Sequence, residues 1–142
     1  MRWTLIAGLL GFAVAASAAD VGQIKVASGS VFVERGGERL PARVGMPVQQ
    51  ADTLVTGADG TVGISFTDNS LLSAGPNSVL AIERYSFDAT THVGQFDAAL
   101  KKGSLAVISG KMVKQSPDAM HVRTPTSIMG VRGTEFLVRV AE

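Results

Sequence analysis

The sequence predicts an all-β domain of many short strands, a compact two-sheet sandwich or a β-solenoid-like roll, preceded by an N-terminal signal-peptide helix. Three observations carry that expectation. The stretch Asp59 to Ile82, DGTVGISFTDNSLLSAGPNSVLAI, holds evenly spaced turn signals at Asp59-Gly60, Asp68-Asn69 and Pro76-Asn77. Between the first two, Val62, Ile64 and Phe66 alternate with Thr61, Gly63 and Ser65, the period of a half-buried strand. No helix of ordinary length is legible in the first two-thirds of the exported chain. A meander is the natural reading, with Asp59-Gly60 as a type I′ hairpin turn, which needs positive φ at both central residues.

The 142 residues suit one domain. Met1-Arg2 supplies a positive start, Trp3 to Ala16 is almost wholly apolar, and small residues at Ala16-Ser17-Ala18-Ala19 suit cleavage after Ala18 or Ala19. That is the layout of a secretory signal peptide, residues 1–19, leaving a domain of residues 20–142. The apolar run falls short of the ~20 residues of a spanning helix. The expected protein is therefore periplasmic, with no stable membrane insertion after cleavage. Of 13 Lys and Arg, losing Arg2 leaves 12 against 12 Asp and Glu. A neutral, interspersed surface argues against nucleic acid, which selects a basic face. With no cysteine there is no disulfide framework, thiolate metal site, thiol nucleophile or lipid attachment through sulfur.

Ile24 and Val26 share a parity, and Val31-Phe32-Val33 forms a second apolar run. Gly36-Gly37, between Glu34-Arg35 and Glu38-Arg39, predicts a hairpin tip with a charged rim. From Leu40 to Val48 the even positions are apolar, but Pro41 and Pro47 cannot donate to a ladder and assign this segment to edge strands or a bent connection. Asp52 to Gly57 is a further short strand. Val93, Phe96 and Leu100 fall at helical spacing, yet Phe96, Ala98 and Leu100 also alternate, and the surrounding strands favour β. Lys101-Lys102-Gly103 then reads as a hairpin tip before Ser104 to Ser109, and Met112-Val113 continues the strand pattern. At the end, Phe136, Val138 and Val140 share one parity and Val131 has the other. One strand buries both sets only if its register shifts, and Gly133 is placed for a bulge, making Arg132 to Glu135 a bend within a strand.

No constellation here carries chemistry. His92 and His121 have no neighbour at ligand spacing and read as surface or packing residues. Asp52, Asp59 and Asp68 raise the question of calcium but lack the 1-3-5 spacing of its loops. No G-x-S-x-G elbow occurs. The Gly57–Gly60 segment precedes no helix that would bind phosphate. No catalytic residue, metal or cofactor is expected.

Thr124-Pro125-Thr126 followed by Val131-Arg132-Gly133-Thr134-Glu135-Phe136 resembles the closing motif of the FecR-type domain. Further pieces follow in the same order: Gly29-Ser30-Val31, Pro41-Ala42 with Gly45, Asp52-Thr53-Leu54 with Thr56-Gly57, Asp59-Gly60, Asp68-Asn69-Ser70, Pro76-Asn77-Ser78, and Leu100 to Leu105 around Gly103. The resemblance spans roughly Gly22 to Val140. It implies a periplasmic, all-β, non-catalytic domain. The best-known bearers relay a signal from an outer-membrane receptor to a regulator of an extracytoplasmic-function sigma factor. No cytoplasmic segment or spanning helix precedes the domain here, and no receptor-contacting domain follows Glu142, which implies a stand-alone exported version.

The expected function is a protein–protein binding or signalling module with an envelope protein as partner. The alternative is a module binding an envelope polymer such as peptidoglycan or polysaccharide. Sugar sites usually display aromatics, and beyond Phe12 there are five phenylalanines and Tyr85. Within the closing motif Thr124, Pro125, Arg132, Gly133, Thr134, Glu135 and Phe136 are expected to be structural, with Arg132 and Glu135 forming an internal ion pair or capping the bulge. Arg132→Ala should then lower the melting temperature; unchanged stability with lost partner capture would instead mark a recognition pair.

Overall fold

The computed structural model describes residues 19–131, 133 and 135–140. The expected signal-peptide helix and Ala18 lie outside them; Ala19 is exposed and leads directly into the first strand. The described elements are β1 (Asp20–Ser28), β2 (Val31–Arg35), β3 (Glu38–Pro41), β4 (Pro47–Gln49), β5 (Thr53–Thr56), β6 (Thr61–Phe66), β7 (Leu71–Ala74), β8 (Val79–Phe87), β9 (Gly94–Ile108), α1 (Lys111–Gln115), β10 (Met120–Arg123), β11 (Ile128–Gly130) and β12 (Glu135–Val140). The all-β expectation holds, and the twelve strands join in one curled sheet.

Strand β9 does the curling. The expected hairpin tip at Lys101-Lys102-Gly103 does not form; one strand of 15 residues runs through it. Its first part lies between β8, antiparallel, and β10, parallel, while its last part lies between β7 and β12. Gly103, at φ +90°, bends the strand from one half of the sheet into the other. The bent backbone bonds a neighbouring segment instead of closing on itself. Ser104 N donates to Ser78 Oγ at 3.0 Å, and Ser78 Oγ lies 3.2 Å from Ser104 O. A Cβ at position 103 would overlap Ser78, at 2.5 Å from its Cα.

The chain crosses between the two halves at three further places beside that bend. Asp59-Gly60 is one of them and closes no hairpin, since neither residue has positive φ and β5 and β6 do not pair. Gly57 N donates to Ser30 O at 2.8 Å, linking this crossing to the one between β1 and β2. Asn77 N donates to Gly57 O at 3.0 Å, linking it to the Pro76-Asn77 crossing between β7 and β8. Thr56 Oγ1 donates to Gly75 O at 2.6 Å and accepts from Ser78 N at 2.8 Å. A simple meander is thus excluded. Hairpins form at Gly36-Gly37, both at positive φ, at Asp68-Asn69, at residues 88–93 and at residues 124–127.

Both halves line one core. Ile24, Ile64, Leu72, Leu105 and Val138 come from one, and Val33, Leu54, Leu80, Leu100 and Val122 from the other. The rings of Phe66, Tyr85 and Phe96 meet across it with centroids 4.7–5.4 Å apart. A register shift between Ile24 and Val26 turns Val26 out to solvent, although both share a parity. Pro41 and Pro47 lie on β3 and β4, the two ends of the strand path, as edge strands require. Met112-Val113 is not a strand but part of the one-turn helix α1, which begins where Lys111 N donates to Asp68 O at 2.8 Å.

Two buried aspartates hold the loops. Asp52 takes a two-pronged hydrogen bond from Arg35 at 2.7 and 2.8 Å and a third from Gln49 N at 2.9 Å. That contact with Asp52 raises the Arg35 pKa above its ordinary value. Asp68 accepts from Ser70 N at 3.0 Å, Ser70 Oγ at 2.8 Å and Tyr85 Oη at 3.3 Å, and the phenol accepts in turn from Asp68 N at 3.1 Å.

Gly103→Ala should lower the unfolding free energy by about 2–4 kcal/mol, combining left-handed strain with backbone overlap. Gly36→Ala, with open space around its Cβ site, should cost only about 1 kcal/mol. Urea titration separates the two. Burial raises the Tyr85 phenol to about 12, outweighing the lowering by its hydrogen bond to Thr67. In the unfolded chain the phenol ionises near pH 10, so the unfolded state loses its proton first. Stability should fall by about 2–3 kcal/mol as pH rises from about 10 to 12. Tyr85 is the chain's only tyrosine. Its phenolate absorbance therefore reports the titration directly, and Tyr85→Phe should abolish the slope.

Candidate functional site

The curled sheet leaves four outer edges among the described residues, β3, β4, β11 and β12. An open edge presents unpaired N–H and C=O groups and invites pairing unless it is short, charged or interrupted by proline. Strand β3 carries Pro41 and an Arg39–Glu34 ion pair at its base, β4 is three residues beginning with Pro47, and β11 is three residues. Strand β12, EFLVRV, is six residues without proline and pairs only with β9. Its alternation places Val138 in the core with Phe136 and Val140 packed against it. Glu135, Leu137 and Arg139 point outward, Leu137 with 82% of its surface exposed.

A groove of about 880 Å³ opens beside this edge, between Leu137–Val140 and the turn at residues 124–127, with Lys101, Lys102 and Met129 also lining it. It occupies the place where one more crossing would close the sheet. Strand β10 flanks β9 in one half and β12 flanks it in the other, and no segment joins them there. The turn is held by Thr124 N donating to Ser127 O at 2.8 Å and Ser127 N donating to Thr124 Oγ1 at 3.2 Å. Three cationic side chains, Lys101, Lys102 and Arg139, line the groove, and among the described residues no carboxylate does. On the outer face Leu137 ends a row, Val26–Gly63–Ser73–Ala106–Leu137, set by cross-strand register. Its small central residues form the floor of a shallow trough of about 630 Å³.

Thr124 and Pro125 of the predicted motif line the groove, Phe136 packs toward the core, and Glu135 is exposed with no ion pair to a described residue. Arg132 and Thr134 lie outside the described residues, and with them the expected Arg132–Glu135 pairing. Gly133 does take positive φ, +93°, but as part of a link between two strands in different halves rather than a bulge within one. Val131, fully buried and donating to Met120 O at 3.0 Å, anchors that link, and Ser109 Oγ donates to Gly133 O. Lys101 and Lys102 were read from sequence only as a hairpin tip, and Leu137 and Arg139 were not singled out, although the parity of Leu137, opposite to that of Phe136, Val138 and Val140, already marks it as outward-facing.

Several other polar groups are matched locally. On the outer face of the other half His121 Nδ1 lies 3.5 Å from Asp97 Oδ1, and Arg123 donates two hydrogen bonds to Glu83 at 2.6 and 2.7 Å. His92 takes φ +61° in the turn at residues 88–93 and stacks on Phe87 at 5.9 Å. Asp88 in that turn is held below the usual carboxylate range by the Thr91 and Thr90 N–H groups. Asp52 and Asp68 hold loops, and Asp59 accepts from Ser30 N at 3.3 Å. Among the described residues no three His, Asp or Glu side chains gather as metal ligands, and no helix is long and apolar enough to cross a membrane.

Comparison with known proteins matches residues 52–142 to the family described as "FecR protein". The motif pieces before Asp52 lie outside that span. A solved structure titled "Cell surface anchoring domain" is similar at 31% identity, covering 43% of this chain and 82% of its own, with a TM-score of 0.42. No curated protein matches.

Proposed function

The chain belongs to the FecR protein family, and from that premise we propose that it is a non-catalytic binding and signalling module of the periplasm, linked to envelope or sigma-factor regulation. Its partner is an envelope protein that adds an extended segment to the edge of β12. The observation that supports this reading is the contrast among edges. Three are short or interrupted by proline, and the fourth is six residues, uninterrupted, and bordered by a groove. Strand addition takes affinity from main-chain hydrogen bonds and specificity from side-chain pockets. Leu137 offers an apolar contact beside the edge, and Thr126 and Ser127 offer hydroxyls across the groove.

The polymer-binding alternative loses ground because aromatic surface is spent inside. Phe66, Tyr85 and Phe96 form one buried cluster, so the chain's one tyrosine cannot serve as a sugar platform.

A photoactivatable residue at Thr126 should capture one envelope protein in near-stoichiometric yield from cells exporting the chain. The same residue at Val44, an exposed position in the connection between β3 and β4, should not. Equal capture at both positions, or none at Thr126, would argue against the groove as the docking surface.

A further inference from the structure

The outward face of β12 is complementary to itself. Its residues read Glu135, Leu137 and Arg139, an acid, an apolar residue and a base at successive outward positions. Laid antiparallel against a second copy of the same strand about Leu137, this pattern sets Glu135 opposite the partner's Arg139 and Arg139 opposite the partner's Glu135. The partner's Leu137 falls opposite Leu137. Opposed residues of an antiparallel pair share a face and come close enough for ion pairs and apolar contact. A twofold axis through the central leucines makes the contact isologous, the commonest geometry of soluble dimers. We propose that this chain self-associates through β12, joining two curled sheets into one continuous sheet, with a second copy as the first occupant of the open edge.

Two observations fit a second copy as an occupant of that edge, in competition with the foreign strand. First, Glu135 and Arg139 have no ion pair to a described residue, and at four residues apart on a strand, about 13 Å, they are too far apart to pair within one chain. Each lacks the counter-charge that the twofold supplies. Second, the exposed row Val26–Gly63–Ser73–Ala106–Leu137 ends on the axis, so pairing joins two such rows through the central leucines and covers the most exposed large apolar side chain described. The groove beyond the edge leaves room for either occupant. The proposal rests on β12 as the docking surface, but its tests separate it from the foreign-partner reading.

The exported chain, cleaved as in cells, is compared by light scattering between ~1 µM and ~1 mM. The wild type should pass from monomer to dimer. Glu135→Arg and Arg139→Glu each place like charges in both opposed pairs and should weaken self-association by about tenfold or more. An equimolar mixture of the two variants restores both attractive pairs and should recover dimers that are heterodimers. Because the chain has no cysteine, Leu137→Cys gives a second readout that is independent of charge. Under mild oxidation it should form a symmetric disulfide faster than Val44→Cys. A wild type still monomeric at ~1 mM overturns the proposal, as do charge variants that associate like the wild type, a mixture that fails to recover dimers, or equal oxidation at the two cysteine positions. In any of these cases, capture of a foreign protein at Thr126 remains a separate result.

Discussion

The fold depends on backbone packing at one seam. Four of the chain's passages from one half of the sheet to the other lie side by side. Gly57 N reaches Ser30 O, Asn77 N reaches Gly57 O, and Ser78 Oγ bridges to both the N–H and the carbonyl of neighbouring strand β9 at Ser104. Neighbouring main chains approach so closely that side chains are excluded: a Cβ at Gly60 would overlap the Ser30 carbonyl, and one at Gly103 would overlap Ser78. Thr56 and Ser78 then complete the hydrogen bonding that strand pairing leaves unfinished. A buried backbone group without a partner costs free energy comparable to a lost hydrogen bond. Glycine and hydroxyl side chains are therefore what this seam requires.

At the far end of the core the same problem is solved with a carboxyl group. Asp68 gathers the Ser70 N–H and hydroxyl and the Tyr85 phenol, while its own carbonyl starts α1. Met112 of that helix is fully buried, and Gly110 packs against the Asp68–Ser70 backbone. The aspartates that raised the question of calcium are turn-holding groups. Asp52 and Asp68 accept several protein donors each, and Asp59 accepts one from Ser30 N.

Much of this was legible in the sequence, and what was not has a common cause. Alternation in Thr61–Phe66, the prolines at 41 and 47, and Gly36-Gly37 each report on local backbone, and the strand, edges and hairpin appear where those residues place them. Asp59-Gly60 and Lys101-Lys102-Gly103 were misread because a turn residue signals a change of direction without naming the strand that follows. A hairpin and a crossing use the same residues. The distinction lies in long-range hydrogen bonds, such as Ser104 N to Ser78 Oγ, that no local pattern contains. Met112-Val113 failed for a related reason, since two apolar residues fit one helical turn as well as a strand, and Asp68 decides. The groove was hidden because its walls, Thr124–Ser127 and Leu137–Val140, are brought together only by β10 and β12 pairing with successive parts of β9.

The seam also explains why the open edge is where it is. Each of these four crossings joins a strand of one half to a strand of the other, and the joined strands sit at matching positions: β2 with β1, β5 with β6, β8 with β7, and the two parts of β9. The next position would hold β10 and β12 as one crossing pair. The chain instead reaches β12 from the opposite end, through Val131 and Gly133, so β10 and β12 flank β9 without a connection between them. An edge made in this way cannot be withdrawn without dismantling the curl, because β12 contributes Val138 to the core. Proline or a charge facing inward would cost core packing. What remains free to vary is the outward row, and there the chain carries Glu135, Leu137 and Arg139, an acid, an apolar residue and a base.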